Sequence, residues 1–258
     1  MTQQLHPTAL IDPDTEIGSD VTIGPYAVVG PRITVGDGTT IGPHAVLQQD
    51  VRLGRRCTVG AGAVLGADPQ DVKYQGEATW LEVGDDTIIR EYSTLHRGTA
   101  ARGRTSIGRR CFLMTYVHVA HDCVLEDDVT IANAVQLSGH VTIEAHATVS
   151  GLSPVHQFVR IGTYAYVGGG SRVPQDVPPY TTAVGNPLKL YGLNTVGLTR
   201  AGFPPEVRLA LKHAYRLLFN SDLPQSEAVE LVRREHGSVP EVMRLVDFVA
   251  GSERGVLV

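Results

Sequence analysis

Little in this sequence points to a disulfide scaffold, a membrane span or a polyanion binder. The 258 residues contain only three cysteines, Cys57, Cys111 and Cys123, and no CxxC pair. A disulfide framework and a zinc knuckle are therefore not indicated. No apolar stretch approaches the ~18 residues that a membrane-spanning helix needs. The N-terminus, MTQQLHPTALIDPDTE, has no basic segment leading into an apolar run, so it is unlike a signal peptide. Lys and Arg number 22 against 27 Asp and Glu, a net charge of −5. That argues against nucleic-acid binding driven by bulk positive charge. The expectation is a soluble, cytoplasmic protein with no transmembrane segment. Aromatic residues are scarce at 6%, whereas glycine, at 28 residues, is abundant. Such a composition suits many tight turns around a core of small aliphatic side chains.

What the sequence does have is a period of six. Stepping by six from Ile11 gives Ile17, Ile23, Val29, Val35, Ile41, Leu47, Leu53, Val59 and Leu65. The pattern resumes at Val83, Ile89 and Leu95, then runs from Ile107 to Val173 without a miss. Four places after each aliphatic sits a mostly small residue, such as Ala27, Thr39, Ala45 and Ala63. All three cysteines occupy this place, which marks them as structural fillers rather than nucleophiles. Neither a helix nor an ordinary alternating strand produces this spacing. It predicts a solenoid of short strands, each hexad giving one aliphatic to the interior before turning a corner. The pattern resembles the hexapeptide-repeat superfamily, which implies a left-handed parallel β-helix of 18 residues per coil.

Two polar stretches interrupt the repeat, 67–79 (ADPQDVKYQGEAT) and 97–104 (RGTAARGR). They are expected to be loops thrown out from the coils, where function commonly sits. The repeat ends near Val173, before the proline-rich VPQDVPPY. From about residue 204 the apolar spacing becomes helical, with Pro204, Pro205, Pro224 and Pro240 suited to helix starts and Gly237 and Gly251 to helix ends. The expected organisation is a β-solenoid over 1–190 and a small helical domain over 191–258.

No insertion interrupts 107–173, so residues 18 apart should stack on neighbouring coils. His121 then stacks with Gly139 and Gln157, and Asp122 with His140. His96, His118 and His156 lie nearby in the chain. A histidine, a carboxylate and an open glycine backbone in adjoining columns suggest acid–base chemistry, because imidazole titrates near neutrality.

A larger motif set runs in order through the chain: HPTA near the start, QDVKY (70–74), IREYSTLHRGT (89–99), HVAHDC (118–123), SGH (138–140), VHQF (155–158), QDVPPY (175–180) and GNP (185–187). This set resembles the acyl-ACP:UDP-N-acetylglucosamine O-acyltransferase family over nearly the whole chain. The resemblance implies transfer of a 3-hydroxyacyl group from acyl carrier protein to the 3-position of the sugar nucleotide, in lipid A synthesis, with no metal and no separate cofactor. It implies that His121 is the general base, that Asp122 orients it, and that the Gly139 N–H meets the oxyanion. It further implies substrate contacts from Asp71, Lys73, His96, His118, His140, His156, Gln157, Asn194 and Arg200, and a homotrimer with sites between subunits. Gly169, stacked on Gly151, matches a position where side-chain size limits acyl length. Arg208, Lys212 and Arg216 form a basic stripe at i, i+4, i+8, and the resemblance implies that acidic acyl carrier protein docks there. Two departures from the family pattern stand out: Val196 where an acidic residue is usual, and Ala201 where a second arginine is usual. A related sugar N-acyltransferase or acetyltransferase is the alternative. A zinc-dependent hydratase is a lesser one, since the local pair here is H-x2-H (His118, His121) rather than H-x4-H.

Overall fold

In the computed structural model, which describes residues 3–257, the chain winds as a left-handed parallel β-helix of triangular section, followed by helices. Three sheets form its faces, called A, B and C here in the order the chain visits them. They hold 11, 8 and 8 strands, all parallel but the last of face A. The ladder aliphatics and the small residues four places later point inward and are buried from Val21 to Ala183. Ile11 and Ile17, at the open N-terminal end, are partly covered. Burial of one such aliphatic stabilises by roughly 1.5–3 kcal/mol. Repetition of that contribution along one axis makes the solenoid self-supporting.

Most corners turn through a left-handed residue three places after the ladder aliphatic. Asp20, Tyr26, Asp86, Tyr116, Asp122, Asp128, His140, His146, Phe158 and Tyr164 all have φ between 54° and 66°. The three cysteines are buried, and each Sγ lies against a backbone carbonyl of the next coil: Gly84 O at 3.3 Å, Glu126 O at 3.1 Å and Ser138 O at 3.2 Å. Burial raises their thiols, to about 11 for Cys111 and about 12 for Cys123, which keeps them unreactive.

Three expectations need correction. The repeat does not end at Val173: Thr181–Val184 pairs in parallel with Tyr166–Val167, so a shortened coil follows. Its register, Val167 to Ala183, spans 16 residues because the proline-rich segment cuts the corner. The second interruption is not a polar loop over its whole length. Arg97 and Thr99 are buried, and Arg104 opens the strand Arg104–Ile107. Ala67, likewise, ends the strand Val64–Ala67. Helix also begins before 204, with α1 at Thr195–Arg200.

The strand Lys189–Leu193 folds back antiparallel on Thr181–Val184 and covers the edge of face A. Helices α2 (Pro205–Phe219), α3 (Gln225–His236) and α4 (Pro240–Ala250) then pack around their own core of Leu211, Ala214, Val232, Leu245 and Val246. Arg244 on α4 ties this unit to Glu144 of the solenoid at 3.2 Å, and Ser252 donates to Asp176 at 2.7 Å. Among the described residues, no helix is long and apolar enough to cross a membrane.

Candidate active site at the B–C corner

Where face B turns into face C, the stride of 18 holds: Val119 pairs with Leu137, and Leu137 with Val155. Two columns result. His121, Gly139 and Gln157 stack at the second place after the ladder aliphatic. Asp122, His140 and Phe158 stack at the third, with φ of 59°, 64° and 65°. The His140 N–H donates to His121 O (3.0 Å) and the Phe158 N–H to Gly139 O (3.2 Å).

Asp122 is fully buried. Thr99 supplies two donors to it, its N–H to Oδ1 at 3.0 Å and its hydroxyl to Oδ2 at 2.7 Å. His121 Nδ1 lies 2.8 Å from Oδ2, and His140 Nε2 lies 3.7 Å from it. Burial alone would raise this carboxyl. The hydrogen bonds from Thr99 and His121, with the charge of His140, outweigh it and hold the carboxyl below its ordinary value. Asp122 is therefore an ionised acceptor near neutral pH. His121 must donate through Nδ1, which leaves Nε2 as the basic nitrogen.

The ring of His121 lies against Gly139. A Cβ at that position would meet Cε1 at 2.5 Å and Nε2 at 2.7 Å, so only glycine admits the ring in this pose. Among the described residues, the Gly139 N–H donates to no protein group, which leaves an open donor beside the basic nitrogen. His140 stacks on Phe158 at 4.5 Å, and burial lowers its pKa despite the charge of Asp122.

The other expected residues divide by location. His118 sits at the end of face B, with Nδ1 2.8 Å from Thr94 Oγ1 and its ring edge-on to His96 at 5.2 Å. Burial, then the nearby His96, pushes His118 down to about 4, so it is neutral at physiological pH. His96 Nδ1 bonds Asp68 O at 2.6 Å and so pins the first loop. Asp71 is half-buried and Lys73 exposed in that loop, where Asp71 Oδ1 accepts the Lys73 N–H, and the charge of Asp71 is felt at His140. His156 and Gln157 are exposed on the coil above.

Asn194 and Arg200 are not brought to this corner. Asn194 caps α1 through Oδ1 and donates Nδ2–H to Tyr164 O, at the corner between faces C and A. Arg200 ends the same helix. Gly151 and Gly169 stack at the remaining corner, between A and B. A Cβ on Gly169 would meet nothing closer than Gly151 O at 3.4 Å. Arg208, Lys212 and Arg216 line one side of a cleft of about 460 Å³ on the tail, with Leu209 and Tyr215. A separate cavity of about 440 Å³ opens beside His140, lined by Arg102, Phe158, Arg160 and Arg254 among others.

Ligand atoms of His121, Asp122 and His140 lie within 4.8 Å of one another, a spacing that a metal ion could use. Both oxygens of Asp122 already hold donors, however, and His118 of the H-x2-H pair is not in the trio.

Sequence reasoning gave no role to Thr99 or Arg97, although both lie within the motif IREYSTLHRGT. Arg97 is 1% exposed and donates to Gly66 O, Thr79 O, Asp50, Asp68 and the Tyr74 hydroxyl. One buried guanidinium thus fastens both insertions to the coils. A charged residue two places after the ladder residue Leu95, inside that motif, was the available signal.

The chain is similar to known proteins along nearly its whole length. Residues 176–257 match the family model described as UDP N-acetylglucosamine O-acyltransferase, domain 2, and residues 14–49 and 32–67 match bacterial transferase hexapeptide repeats. The chain is 55% identical to the acyl-[acyl-carrier-protein]–UDP-N-acetylglucosamine O-acyltransferase of Alkalilimnicola ehrlichii, over 98% of this chain and 99% of that one. It is 51% identical to the enzyme of the same name from Aliivibrio salmonicida, over 99% and 98%. A solved UDP-N-acetylglucosamine acyltransferase from Bacteroides fragilis superposes with a TM-score of 0.96 at 38% identity, covering 98% of this chain and 99% of that one.

Proposed function

The chain belongs to the acyl-[acyl-carrier-protein]–UDP-N-acetylglucosamine O-acyltransferase family, and on that footing we propose how the B–C corner performs the transfer. The enzyme moves an acyl group from acyl carrier protein to UDP-N-acetylglucosamine, the first step of lipid A biosynthesis. His121 Nε2 removes the proton of the sugar 3-hydroxyl as that oxygen attacks the thioester carbonyl. The developing oxyanion takes the open N–H of Gly139. Collapse of the tetrahedral species breaks the C–S bond, and the departing thiolate recovers the proton from His121. Asp122 holds the ring by Nδ1 and stabilises the imidazolium in between. One observation carries this reading: the buried, ionised Asp122 fixes His121 with its basic nitrogen over a glycine whose N–H is unspent.

The chemistry needs no metal or separate cofactor, in keeping with the donors that already occupy both oxygens of Asp122. Asp71, Lys73, His96, His118, His140, His156 and Gln157 line the substrate path around this corner. Asn194 and Arg200 lie at another corner, so they reach the nucleotide only if a neighbouring subunit supplies them. That arrangement fits a homotrimer with sites at its interfaces, acting in the cytoplasm. Arg208, Lys212 and Arg216 dock the acidic carrier protein. The open space at Gly169 leaves room for a long 3-hydroxyacyl chain, and Gly169→Met should shift the preference to shorter chains.

The test is mass spectrometry of products formed from a panel of 3-hydroxyacyl carrier proteins and sugar nucleotides. An O-acylated UDP-N-acetylglucosamine supports the proposal. Acylation only of an amino-sugar nucleotide, or only from a coenzyme A thioester, would overturn it.

A further inference from the structure

The second insertion is sited where the coils alone could not satisfy Asp122. Val119 pairs with Leu95, 24 residues back rather than 18, so six extra residues enter between these two coils. The slot beneath Asp122 is taken by Gly98. A Cβ there would collide with the backbone of Arg104, and the Gly98 N–H donates to Trp80 O at 3.2 Å. The chain therefore leaves the coil in one fixed direction. The next residue is Thr99. Its carbonyl accepts the Gly103 N–H at 2.7 Å, and Trp80 N–H closes on Gly103 O at 2.9 Å. Thr99 Oγ1 accepts the Ala101 N–H at 3.2 Å, which turns its own proton toward Asp122 Oδ2. From the other side, the Asp122 N–H donates to Thr105 Oγ1 at 2.9 Å. The insertion begins beside the buried Arg97 and ends at the paired strand Arg104–Ile107. It is a braced strap across a carboxylate rather than a free loop.

We propose that Thr99 is a positioning residue for acyl transfer: its hydroxyl and N–H fix the plane of Asp122 so that Oδ2 holds His121 Nδ1 and Nε2 stays aimed at the acceptor. This rests on the base assignment above. Both donors act on the carboxylate oxygens, and Oδ2 is shared between the Thr99 hydroxyl and His121. Loss of the hydroxyl frees the carboxylate to turn and loosens its hold on His121 Nδ1. The imidazolium is then less stabilised, and the acid limb of the rate profile, where the base is lost to protonation, moves to lower pH. The other charged or titratable groups around the pair are His140 on the next coil, Arg102 in the same insertion, Asp71 in the first loop and the buried Cys123. None of them changes in the variants below.

The variants are Thr99→Val, which keeps shape and N–H but removes the hydroxyl, and Thr99→Ser, which restores it. Thr99→Val should lower kcat roughly tenfold, the scale of one hydrogen bond to a charged group. KM should stay within about twofold, and the acid limb should shift to lower pH. Thr99→Ser should return both toward wild type. Proton NMR of the full chain supplies a readout independent of turnover. The protected His121 Nδ1–H resonance should be present in wild type and Thr99→Ser, and broadened or lost in Thr99→Val. Wild-type rate, pH profile and resonance in Thr99→Val would overturn the proposal. So would equal impairment of both variants with a shared fall in Tm, which would make the role one of folding alone. His121→Ala serves as control: if it retained turnover, the base assignment would fail, and the resonance would still judge the strap.

Discussion

Two corners of this solenoid carry nearly the same column of residues and do different things. At the B–C corner the stack is Asp122, His140, Phe158. At the C–A corner, six residues further round each coil, it is Asp128, His146, Tyr164. The aspartates share the left-handed turn, with φ of 59° and 61°, and each histidine stacks on its aromatic at 4.5 Å. The difference lies in what sits beneath and beside. Under Asp128 is Arg110, which pairs with it at 2.7 Å in the open. Under Asp122 is Gly98 and the strap of Thr99, which bury it. Asp128 is lowered first by its hydrogen bond to Arg110. Asp122 must overcome burial before its hydrogen bonds lower it. The backbone differs too. At the C–A corner the Ala145 N–H is spent on Glu126 Oε2 at 2.9 Å, whereas at the B–C corner, among the described residues, the equivalent Gly139 N–H donates to no protein group. One turn geometry thus yields a surface ion pair in one place and, in the other, a carboxylate-held histidine beside an unspent N–H, the pair we propose as base and oxyanion donor. The choice is made by neighbouring charge, burial and one unspent donor.

Removal of the base should break the contrast most sharply. His121→Ala is expected to lose 10²–10⁴-fold in kcat, the usual cost of a general base. The solenoid should stay folded, with only a modest fall in Tm, because Thr99 still donates to both oxygens of the buried Asp122. Steady-state kinetics beside thermal melts check this. Gly139→Ala brings the B–C corner closer to its counterpart. Its methyl group would sit 2.5 Å from Cε1 of His121 and push the ring off Asp122. A displacement of about 1 Å can cost ~10²-fold, and circular dichroism should report an intact solenoid.

A third prediction concerns acid stability. His118 is buried neutral with its pKa near 4, below the ordinary value of 6.5. The unfolded chain takes up the proton first, so the contribution of His118 is complete above about 6.5 and is lost as pH falls toward 4. His118→Gln should flatten the decline of Tm between pH 6.5 and 4, and an unchanged slope would place the acid sensitivity elsewhere. The smallest effect is expected at the surface pair. Asp128→Asn should leave kcat unaltered and move Tm by at most a few degrees. Asp122→Asn under the same assay should all but abolish turnover. Equal outcomes for the two would erase the distinction drawn between the corners.

Much of this molecule follows from its sequence because a period of six without insertions is a coordinate system. The buried ladder, the role of the cysteines as fillers, and the stacking of His121 on Gly139 and of Asp122 under His140 all follow from counting along 107–173. The motif set carried the family. The count fails wherever residues are inserted, since an insertion folds by its own hydrogen bonds rather than by register. The burial of Arg97 and the grip of Thr99 on Asp122, a contact across 23 residues, therefore became visible only in the folded chain. The same holds for Asn194, whose amide a helix cap and Tyr164 O consume at a different corner. It holds also for the Gly139 N–H, because whether a donor is spent depends on the atoms that tertiary packing sets beside it, and the sequence alone does not place them.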